Sequence, residues 1–328
     1  MRLATFNLLH GVTVLGGGGQ PQRDASGKAI GPPRVQSDEP LRLAVAALDA
    51  DVIGLQEVDV AQPRSSLAHQ VRAVAEALDA PHWRFAPSVS GTPGEPGWQP
   101  ATASQDQTSH PLTVHPHVAE RHKGARDADR DADRGSARER HDAPDGLAHA
   151  SDHHDVTTLG PLYGVGLVSR LPVLEWRTTR FDAAPWSLPL LVPGDRRPQV
   201  IRVADEPRAA IAAVVQGGDG PFTVATVHLS FVPGYNVRQL RQLRKWLAGL
   251  PRPLVLLGDF NLPGALPSRI TGWQPLLRAA TYPSMRPRVQ LDHALADGLT
   301  PAQLAGAVAT VHRLPVSDHA ALTVDMDL

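Results

Sequence analysis

The chain has 328 residues, no cysteine and a formal net charge of -1 at pH 7. This length allows a large buried core, and the lack of cysteine excludes disulfides, thiol nucleophiles and cysteine-ligated metal sites. Residues 1–10 lack the basic and apolar regions of a signal peptide, and no apolar run approaches the roughly 18 residues of a membrane span. We therefore expect a cytoplasmic protein that does not span a membrane. The near-neutral charge weakens the case for nonspecific nucleic-acid binding but leaves room for a local basic patch.

Short apolar runs rich in β-branched residues alternate with segments of helical spacing along the chain. The runs predict strands at residues 3–7, 52–56, 164–169, 209–215, 222–228, 254–258 and 321–324. Amphipathic helices are predicted at residues 39–48, 66–78 and 236–250. The interleaving predicts an α/β or α+β class in which helices cover β-sheets.

Two segments do not fit a compact domain. From about residue 88 to about residue 160 the composition changes to Pro, Gly, Ser, Thr, Asp, Arg and His, with almost no apolar periodicity. We interpret it as a disordered low-complexity insertion within a single domain of residues 1–328, and its irregularly spaced histidines as solvated side chains. The Gly-rich and Pro-rich segment 16–33 predicts a mobile loop beside the active edge.

Polar side chains follow several of the predicted strands at the point where each strand ends. Taken singly, each has a structural explanation, such as a turn cap or a solvated strand end. Together they supply the chemistry of phosphoester hydrolysis: oxygen ligands for Mg²⁺ or Mn²⁺, imidazoles that stabilise charge on phosphoryl oxygens, and a carboxylate that orients water. These residues are Asn7, Glu57, His228, Asp259, Asn261, Asp318 and His319.

The motifs around these residues resemble the endonuclease/exonuclease/phosphatase superfamily, which includes DNase I-like nucleases and inositol-polyphosphate phosphatases. Gly-Asp-Phe-Asn together with Ser-Asp-His is highly specific, whereas either motif alone is moderately so. The resemblance implies a DNase I-like four-layer sandwich of two packed mixed β-sheets flanked by helices. The motifs that carry it are Thr5-Phe6-Asn7, Leu55-Gln56-Glu57-Val58, Gly166-Leu-Val-Ser-Arg170, Val227-His228-Leu229, Gly258-Asp259-Phe260-Asn261, Leu291-Asp292-His293 and Ser317-Asp318-His319.

The resemblance also implies a role for each matching residue. The metal, Mg²⁺ or Mn²⁺, would be bound mainly by Glu57, assisted by Asn7 and Asp318. Among the catalytic residues, Asp259 would align or deprotonate the attacking water, and Asn261 would hydrogen-bond the water or a phosphoryl oxygen. His319 would contact the phosphate, and Asp292 would hold the His319 ring and favour the imidazolium. His228 would be a second cation-like donor. Arg208 is expected near the substrate.

The sequence leaves the substrate open. A phosphodiester or phosphomonoester of nucleic acid, phospholipid or a small phosphorylated molecule fits, and a dedicated DNA or RNA nuclease is the main alternative. The second alternative is a binding module that has lost catalysis. The presence of all the motif residues argues against it. No protein partner is predicted. The loop around Trp186 has two interpretations: it covers a substrate or contacts lipid, or it is a packing loop. Four cationic residues also have two interpretations, a basic binding surface or the solvated face of a helix: Arg238, Arg241, Arg244 and Lys245.

Overall fold

The fold is built on two large β-sheets that pack face to face, with helices on both outer surfaces, and the described residues form two further sheets of two strands each. The computed structural model describes residues 1–14, 22–23, 29–31, 35–109, 160–192 and 199–328. The strands are β1 (Arg2–Asn7), β2 (Gln22–Arg23), β3 (Ala29–Gly31), β4 (Val52–Val60), β5 (His82–Ser90), β6 (Gln99–Pro100), β7 (Gln107–Thr108), β8 (Leu162–Ser169), β9 (Val173–Phe181), β10 (Ser187–Val192), β11 (Gln199–Ala204), β12 (Arg208–Gln216), β13 (Pro221–His228), β14 (Leu254–Asp259), β15 (Gln274–Pro275), β16 (Asp292–Asp297), β17 (Val308–His312) and β18 (Ala321–Asp325). The α-helices are α1 (Glu39–Leu48), α2 (Gln70–Ala77), α3 (Tyr235–Trp246), α4 (Leu266–Thr271) and α5 (Pro301–Gly306).

Each of the two large sheets mixes parallel and antiparallel pairs. The first has the strand order β17-β18-β1-β4-β8-β5-β6, with β7 also paired to β5. The second has the order β15-β16-β14-β13-β12-β9. Strands β1 and β4 are parallel in the first sheet, and β13 and β14 are parallel in the second. The predicted pair of mixed sheets is confirmed.

The core lies in three layers of apolar contact. Between the sheets, Leu3 and Val52 of the first sheet belong to the same buried cluster as Val224 and Val255 of the second. Helices α1 and α2 cover the outer face of the first sheet, and α3 covers that of the second. The result is the predicted four-layer sandwich, in which both sheets are buried on both faces over much of their length.

All seven predicted strands are present, but some boundaries and elements differ from the prediction. The helix predicted at residues 66–78 begins at Gln70, because Ser66 and Leu67 have left-handed φ values of 54° and 59° that no α-helix tolerates. Strand β9 was not predicted: five of its nine residues are polar or charged, as an edge strand allows.

The start of the predicted insertion needs a correction. Residues 88–90 lie in β5, and residues 99–100 and 107–108 form strands that pair with β5. Composition alone assigned these residues to the insertion, but main-chain hydrogen bonds make them part of the first sheet. Residues 110–159, and most of the predicted loop at 16–33, lie outside the described residues, and both assignments there stay predictions. No helix in the described part of the chain is long and apolar enough to cross a membrane; the cytoplasmic location also stays a prediction.

Strand register brings the candidate residues to one edge of the sandwich. The parallel pair β13 and β14 places His228 opposite Asp259, and the antiparallel pair β14 and β16 places Asp259 opposite Asp292. In the first sheet, Asn7 at the end of β1 lies opposite Gln56, next to Glu57. Because the carboxyl ends of parallel strands meet at one edge of a sheet, both sheets present these side chains on the same side.

Gly258 is a point where the backbone admits only glycine. Its φ is 140°, and a Cβ atom built on it would lie 2.0 Å from the carbonyl oxygen of Val227. We expect Gly258→Ala to lower the free energy of unfolding by about 2–3 kcal/mol or more, measured by urea denaturation. Gly249→Ala is the matched control, since nothing lies within 4 Å of a Cβ atom there. Equal unfolding midpoints for the two variants would contradict this account of the Gly-Asp-Phe-Asn motif.

Candidate active site

The side chain of Asn7 joins the two sheets at the candidate site. It is fully buried, and its Nδ2 donates to Glu57 Oε1 at 3.0 Å and to Asp259 Oδ2 at 3.1 Å. Its Oδ1 accepts the Leu9 N–H at 3.1 Å, which fixes the orientation of the amide. The amide therefore holds one carboxylate from each sheet in place, and metal ligation by Asn7, which would use Oδ1, stays a prediction.

Glu57 leaves the regular path of β4. The β4–β8 register shifts between Leu55 and Val58, and Glu57 has a left-handed φ of 54°. A bulge of this kind re-aims a side chain away from the direction that strand alternation would give it. Glu57 is half-buried, and ligand atoms of Glu57, His228 and Asp259 all lie within 4.8 Å of one another.

Asp259 is the centre of the site. Its side chain is 2% exposed, and its Oδ1 accepts the Asn261 N–H at 2.9 Å in an Asx-type turn, which is compatible with the φ of 49° at Asn261. Burial raises the pKa of Asp259 to about 7, against the opposing effect of the His319 charge. A buried carboxyl group with this pKa is suited to exchange a proton near neutral pH.

His319 is held as an imidazolium. Its Nδ1 donates to Asp292 Oδ2 at 2.8 Å, and its Nε2 lies 3.8 Å from Asp259 Oδ2. Burial alone would lower the pKa of His319, but the charges of Asp292 and Asp259 and the hydrogen bond to Asp292 raise it to about 10. The ring of Tyr282 packs against that of His319 with 4.8 Å between centroids. The predicted pairing of His319 with Asp292 is present in the structure.

His228 differs from its predicted character. Burial, followed by the charges of Arg208 and His319, lowers the pKa of His228 well below its ordinary value, so this imidazole is neutral and is not a cation-like donor. Arg208 Nη1 lies 3.2 Å from His228 Nδ1. Because a guanidinium only donates, Nδ1 must accept and the ring hydrogen must be on Nε2. His228 thus offers a neutral N–H to the site.

Two donors converge beside Asp259. His228 Nε2 and Asn261 Nδ2 are 3.3 Å apart, and neither an amide nitrogen nor a protonated ring nitrogen accepts a hydrogen bond. One hydrogen of the Asn261 amide goes to Leu229 O at 3.0 Å, which leaves the other directed elsewhere. Adjacent donors of this kind fit a common anionic oxygen.

Asp318 flanks the site without joining its hydrogen bonds. Its Oδ1 is buried and has no partner among the described residues, and burial raises the pKa of its carboxyl group. Asp292 Oδ1 is buried and unpartnered in the same way. A divalent cation would satisfy such oxygens, and carboxylate and amide oxygens are the ligands that Mg²⁺ and Mn²⁺ prefer. The ligand atoms that lie within 4.8 Å of one another are those of Glu57, His228 and Asp259, and the oxygens among them suit a hard divalent cation, whereas metal ligation by Asp318 stays a prediction.

Two residues that sequence reasoning missed support the site. Asp205 accepts the Ala184 N–H and the Ser230 hydroxyl, both at 2.7 Å, and lies 3.5 Å from Arg208 Nη2, so it helps to hold the guanidinium against His228. Tyr282, which packs on His319, is the other. Both are in loops without apolar periodicity, and the one signal was that Asp205 lies three residues before Arg208, which is expected near the substrate.

The fold and the site together define a class of protein. It is an α+β sandwich that carries carboxylates and imidazoles where its two sheets meet. A family model described as the endonuclease/exonuclease/phosphatase family matches residues 4–319, and the chain belongs to this family. No curated protein sequence matches the chain significantly.

Solved structures share the fold at low identity. An endonuclease/exonuclease/phosphatase from Beutenbergia cavernae DSM 12333 is 17% identical, with a TM-score of 0.56 over 100% of this chain and 71% of that one. A conserved protein of unknown function from Enterococcus faecalis V583 is 13% identical, with a TM-score of 0.50 over 99% of both chains. At these identities, the likeness shows the fold alone.

The charge of His319 gives a prediction that needs no substrate. We expect the His319 ring to stay protonated to about pH 10 and Asp292→Asn to bring its pKa down markedly, because the nearest negative charge is removed. Histidine ring signals followed by NMR across pH measure this directly. Since the folded-state pKa lies above the ordinary 6.5, the stabilisation from His319 is complete below about pH 6.5 and is lost as pH rises through about 10. A His319 ring that titrates near 6.5 in the unsubstituted protein would refute the imidazolium assignment.

Proposed function

We propose that the protein hydrolyses phosphoesters with Mg²⁺ or Mn²⁺ and that water attacks the phosphorus in line. The observation that supports this most is the meeting of a carboxylate from each sheet, Glu57 and Asp259, on one buried amide, beside a charged and a neutral histidine. Acidic oxygens and N–H donors that meet at one place match what a cation and a phosphoryl group need.

Glu57 would be the main metal ligand, with Asp318 Oδ1 and Asn7 Oδ1 as further oxygens. The buried, unpartnered Asp318 Oδ1 supports this assignment, because an unsatisfied carboxylate oxygen is costly unless a cation or donor reaches it. When bound, the cation would neutralise negative charge on the phosphoryl oxygens.

Asp259 would take the proton of the attacking water. Its Oδ1 and Oδ2 are held by Asn261 and Asn7, so the carboxylate cannot swing away from the water as the reaction proceeds. The raised pKa matches this role, because a base with a pKa near the working pH combines a large unprotonated fraction with strong proton affinity.

The donors would bind the phosphoryl group. His319 would direct its charged Nε2–H at one oxygen, since its Nδ1 is committed to Asp292. His228 Nε2–H and the remaining Asn261 N–H would share a second oxygen, and Arg208 would act through His228 by fixing its tautomer. Charge that develops on these oxygens in the transition state would be stabilised by donors that are already in place.

The substrate stays open among nucleic acid, phospholipid and small phosphorylated molecules, and family membership fits each. A binding module that has lost catalysis is the less favoured alternative. An inactive protein would have no reason to keep two carboxyl groups with raised pKa values and an orphaned carboxylate oxygen together, since each of these costs folding free energy.

Activity is tested by hydrolysis of bis-p-nitrophenyl phosphate and p-nitrophenyl phosphate with Mg²⁺ or Mn²⁺. We expect Glu57→Gln, Asp259→Asn and His319→Asn each to lower kcat/KM by about 10²-fold or more. Glu57→Gln and Asp259→Asn preserve side-chain size and should keep unfolding midpoints close to the parent value, whereas His319→Asn should also lower the midpoint because Asp292 loses its cationic partner. Asp219→Asn removes an exposed carboxylate in a turn and is the matched control. No turnover by the folded parent protein with either metal would exclude the enzyme, and near-normal rates in all three variants would exclude these roles.

Metal binding is tested separately by calorimetric titration with Mn²⁺. We expect one tightly bound ion per chain, and Glu57→Gln to lose most of the affinity. At a free concentration about 100 times the Kd, the ion would stabilise the fold by about 2.7 kcal/mol, so the unfolding temperature rises and EDTA reverses the rise. The same Mn²⁺ affinity in Glu57→Gln would show that the ion binds elsewhere.

A further inference from the structure

A cationic and aromatic surface borders the candidate site along helix α3. The helix has the sequence Tyr-Asn-Val-Arg-Gln-Leu-Arg-Gln-Leu-Arg-Lys-Trp, with four cationic side chains and no acidic one. The four are exposed, while Leu240 and Leu243 pack into the core. A chain whose formal net charge is -1 thus concentrates positive charge on one helix.

Helix α3 starts at the candidate site. The Asn236 side chain donates to Asn261 O at 2.9 Å, and Gln239 Oε1 accepts the N–H of Ser230, two residues after His228, at 2.8 Å. The first turn of the helix is therefore bound to the two loops that carry His228 and Asn261. A ligand that lies along the helix has its end at the catalytic side chains.

Aromatic rings lie at this same end of the helix. Trp186 is 52% exposed, and its ring contacts the Tyr235 ring edge-on with 5.4 Å between centroids. The guanidinium of Arg238 lies 5.5 Å from the Tyr235 ring centroid, and that of Arg208 lies 6.0 Å from the Phe231 ring centroid. A large tryptophan surface left in solvent, beside a tyrosine ring that Arg238 approaches, is suited to a planar ligand group.

A groove continues from these rings along the helix. It has a volume of about 220 Å³ between the end of β9 and α3, and its lining includes Arg180, Phe181, Tyr235, Arg238, Gln242 and Trp246. The charge of Arg180 is balanced by its ion pair with Asp106, and Asp182 is the one acidic residue in the lining. The excess positive charge along the groove therefore comes from α3. Helical spacing puts Arg238, Gln242 and Trp246 on one stripe, with Arg241 and Lys245 on the adjoining one.

We propose that this surface, Trp186 and Tyr235 with the α3 groove, binds single-stranded nucleic acid and leads it into the candidate site. Bases would stack on Trp186 and Tyr235, and phosphates would lie along the cationic residues of α3. This pairing of aromatic platforms with a cationic groove is the usual design of single-strand binding sites. A duplex fits less well, because its bases are stacked on each other and offer no face to Trp186. The proposal rests on the proposed function, since the strand would end at a phosphoester-cleaving site.

Binding is measured by fluorescence anisotropy in EDTA, so that no turnover occurs. The probes are a short labelled oligothymidylate and an oligomer of the same length with tetrahydrofuran in place of every base. We expect the base-bearing oligomer to bind about tenfold or more tightly. Trp186→Ala should remove most of this difference, and Trp186→Phe should keep most of it, because phenylalanine retains a stacking face.

Charge is tested with the double variant Arg238→Ala, Arg241→Ala. It should weaken both oligomers and lower the slope of log affinity against log salt by about 1.4, since each phosphate contact contributes about 0.7 on a single strand. Arg72→Ala, which removes a cation from α2 on the other sheet, is the matched control and should change nothing.

Three results would overturn the proposal: equal affinity for the two oligomers, no effect of Trp186→Ala, or anionic phospholipid vesicles that bind this face and are not displaced by oligothymidylate. The proposed function fails by a different result, the absence of hydrolysis of any phosphoester with either metal. Base-dependent binding in a protein without hydrolysis would therefore keep the site and reject the reaction.

Discussion

The structure depends on how buried negative charge is balanced where the two sheets meet. Glu57 comes from the first sheet and Asp259 from the second, with Asp292 and Asp318 close by, and bringing like charges together in a buried place is unfavourable. Asn7 offers two donor hydrogens, and His319 offers one positive charge. This compensation is incomplete, because the pKa values of Asp259 and Asp318 remain raised. The remaining deficit of positive charge is what a divalent cation and a transferred proton would supply.

Backbone geometry fixes these side chains before any ligand arrives. A one-residue slip in a strand pair would turn every following side chain to the other face, so the register that places His228 opposite Asp259 and Asp259 opposite Asp292 is also the register of the core. Unusual conformations occur at the same edge: Glu57 and Asn261 are left-handed, and Gly258 has a φ of 140°. Strain of this kind persists only where the surrounding packing over-determines it, and here both sheets are buried on both faces. The stability of the core therefore maintains the geometry of the site.

The sequence predicts the strands and the polar residues at their ends for one physical reason. An apolar run that stops at a carboxylate, amide or imidazole marks both a buried strand and its rim, as at Asn7, Glu57 and Asp259. Sequence reasoning did not reach the charge state of His228, because that depends on the burial of the ring and on Arg208, which lies twenty residues away in sequence and pairs with the ring only in the folded sheet. Strands β9 and β16 were also missed. The polar sequence of β9 is typical of an edge, and β16 is short and contains aspartate at both ends.

The opposite protonation of the two histidines has a consequence for the site as a whole. Both rings are buried beside Asp259, and what separates them is the partner on the second nitrogen: Asp292 on His319 and Arg208 on His228. A carboxylate partner stabilises an imidazolium, whereas a guanidinium partner forbids one. If both rings were charged, the site would attract less strongly the divalent cation that its carboxylates suit. With one ring charged, it retains a single fixed cation for the phosphoryl group and a neutral donor at its side. Arg208 then places a buried positive charge beside the His228 ring without adding to the charge on the ring, and α3 carries exposed positive charge outward from the site. A protein of near-neutral overall charge can in this way present a strongly polarised path to an anionic substrate.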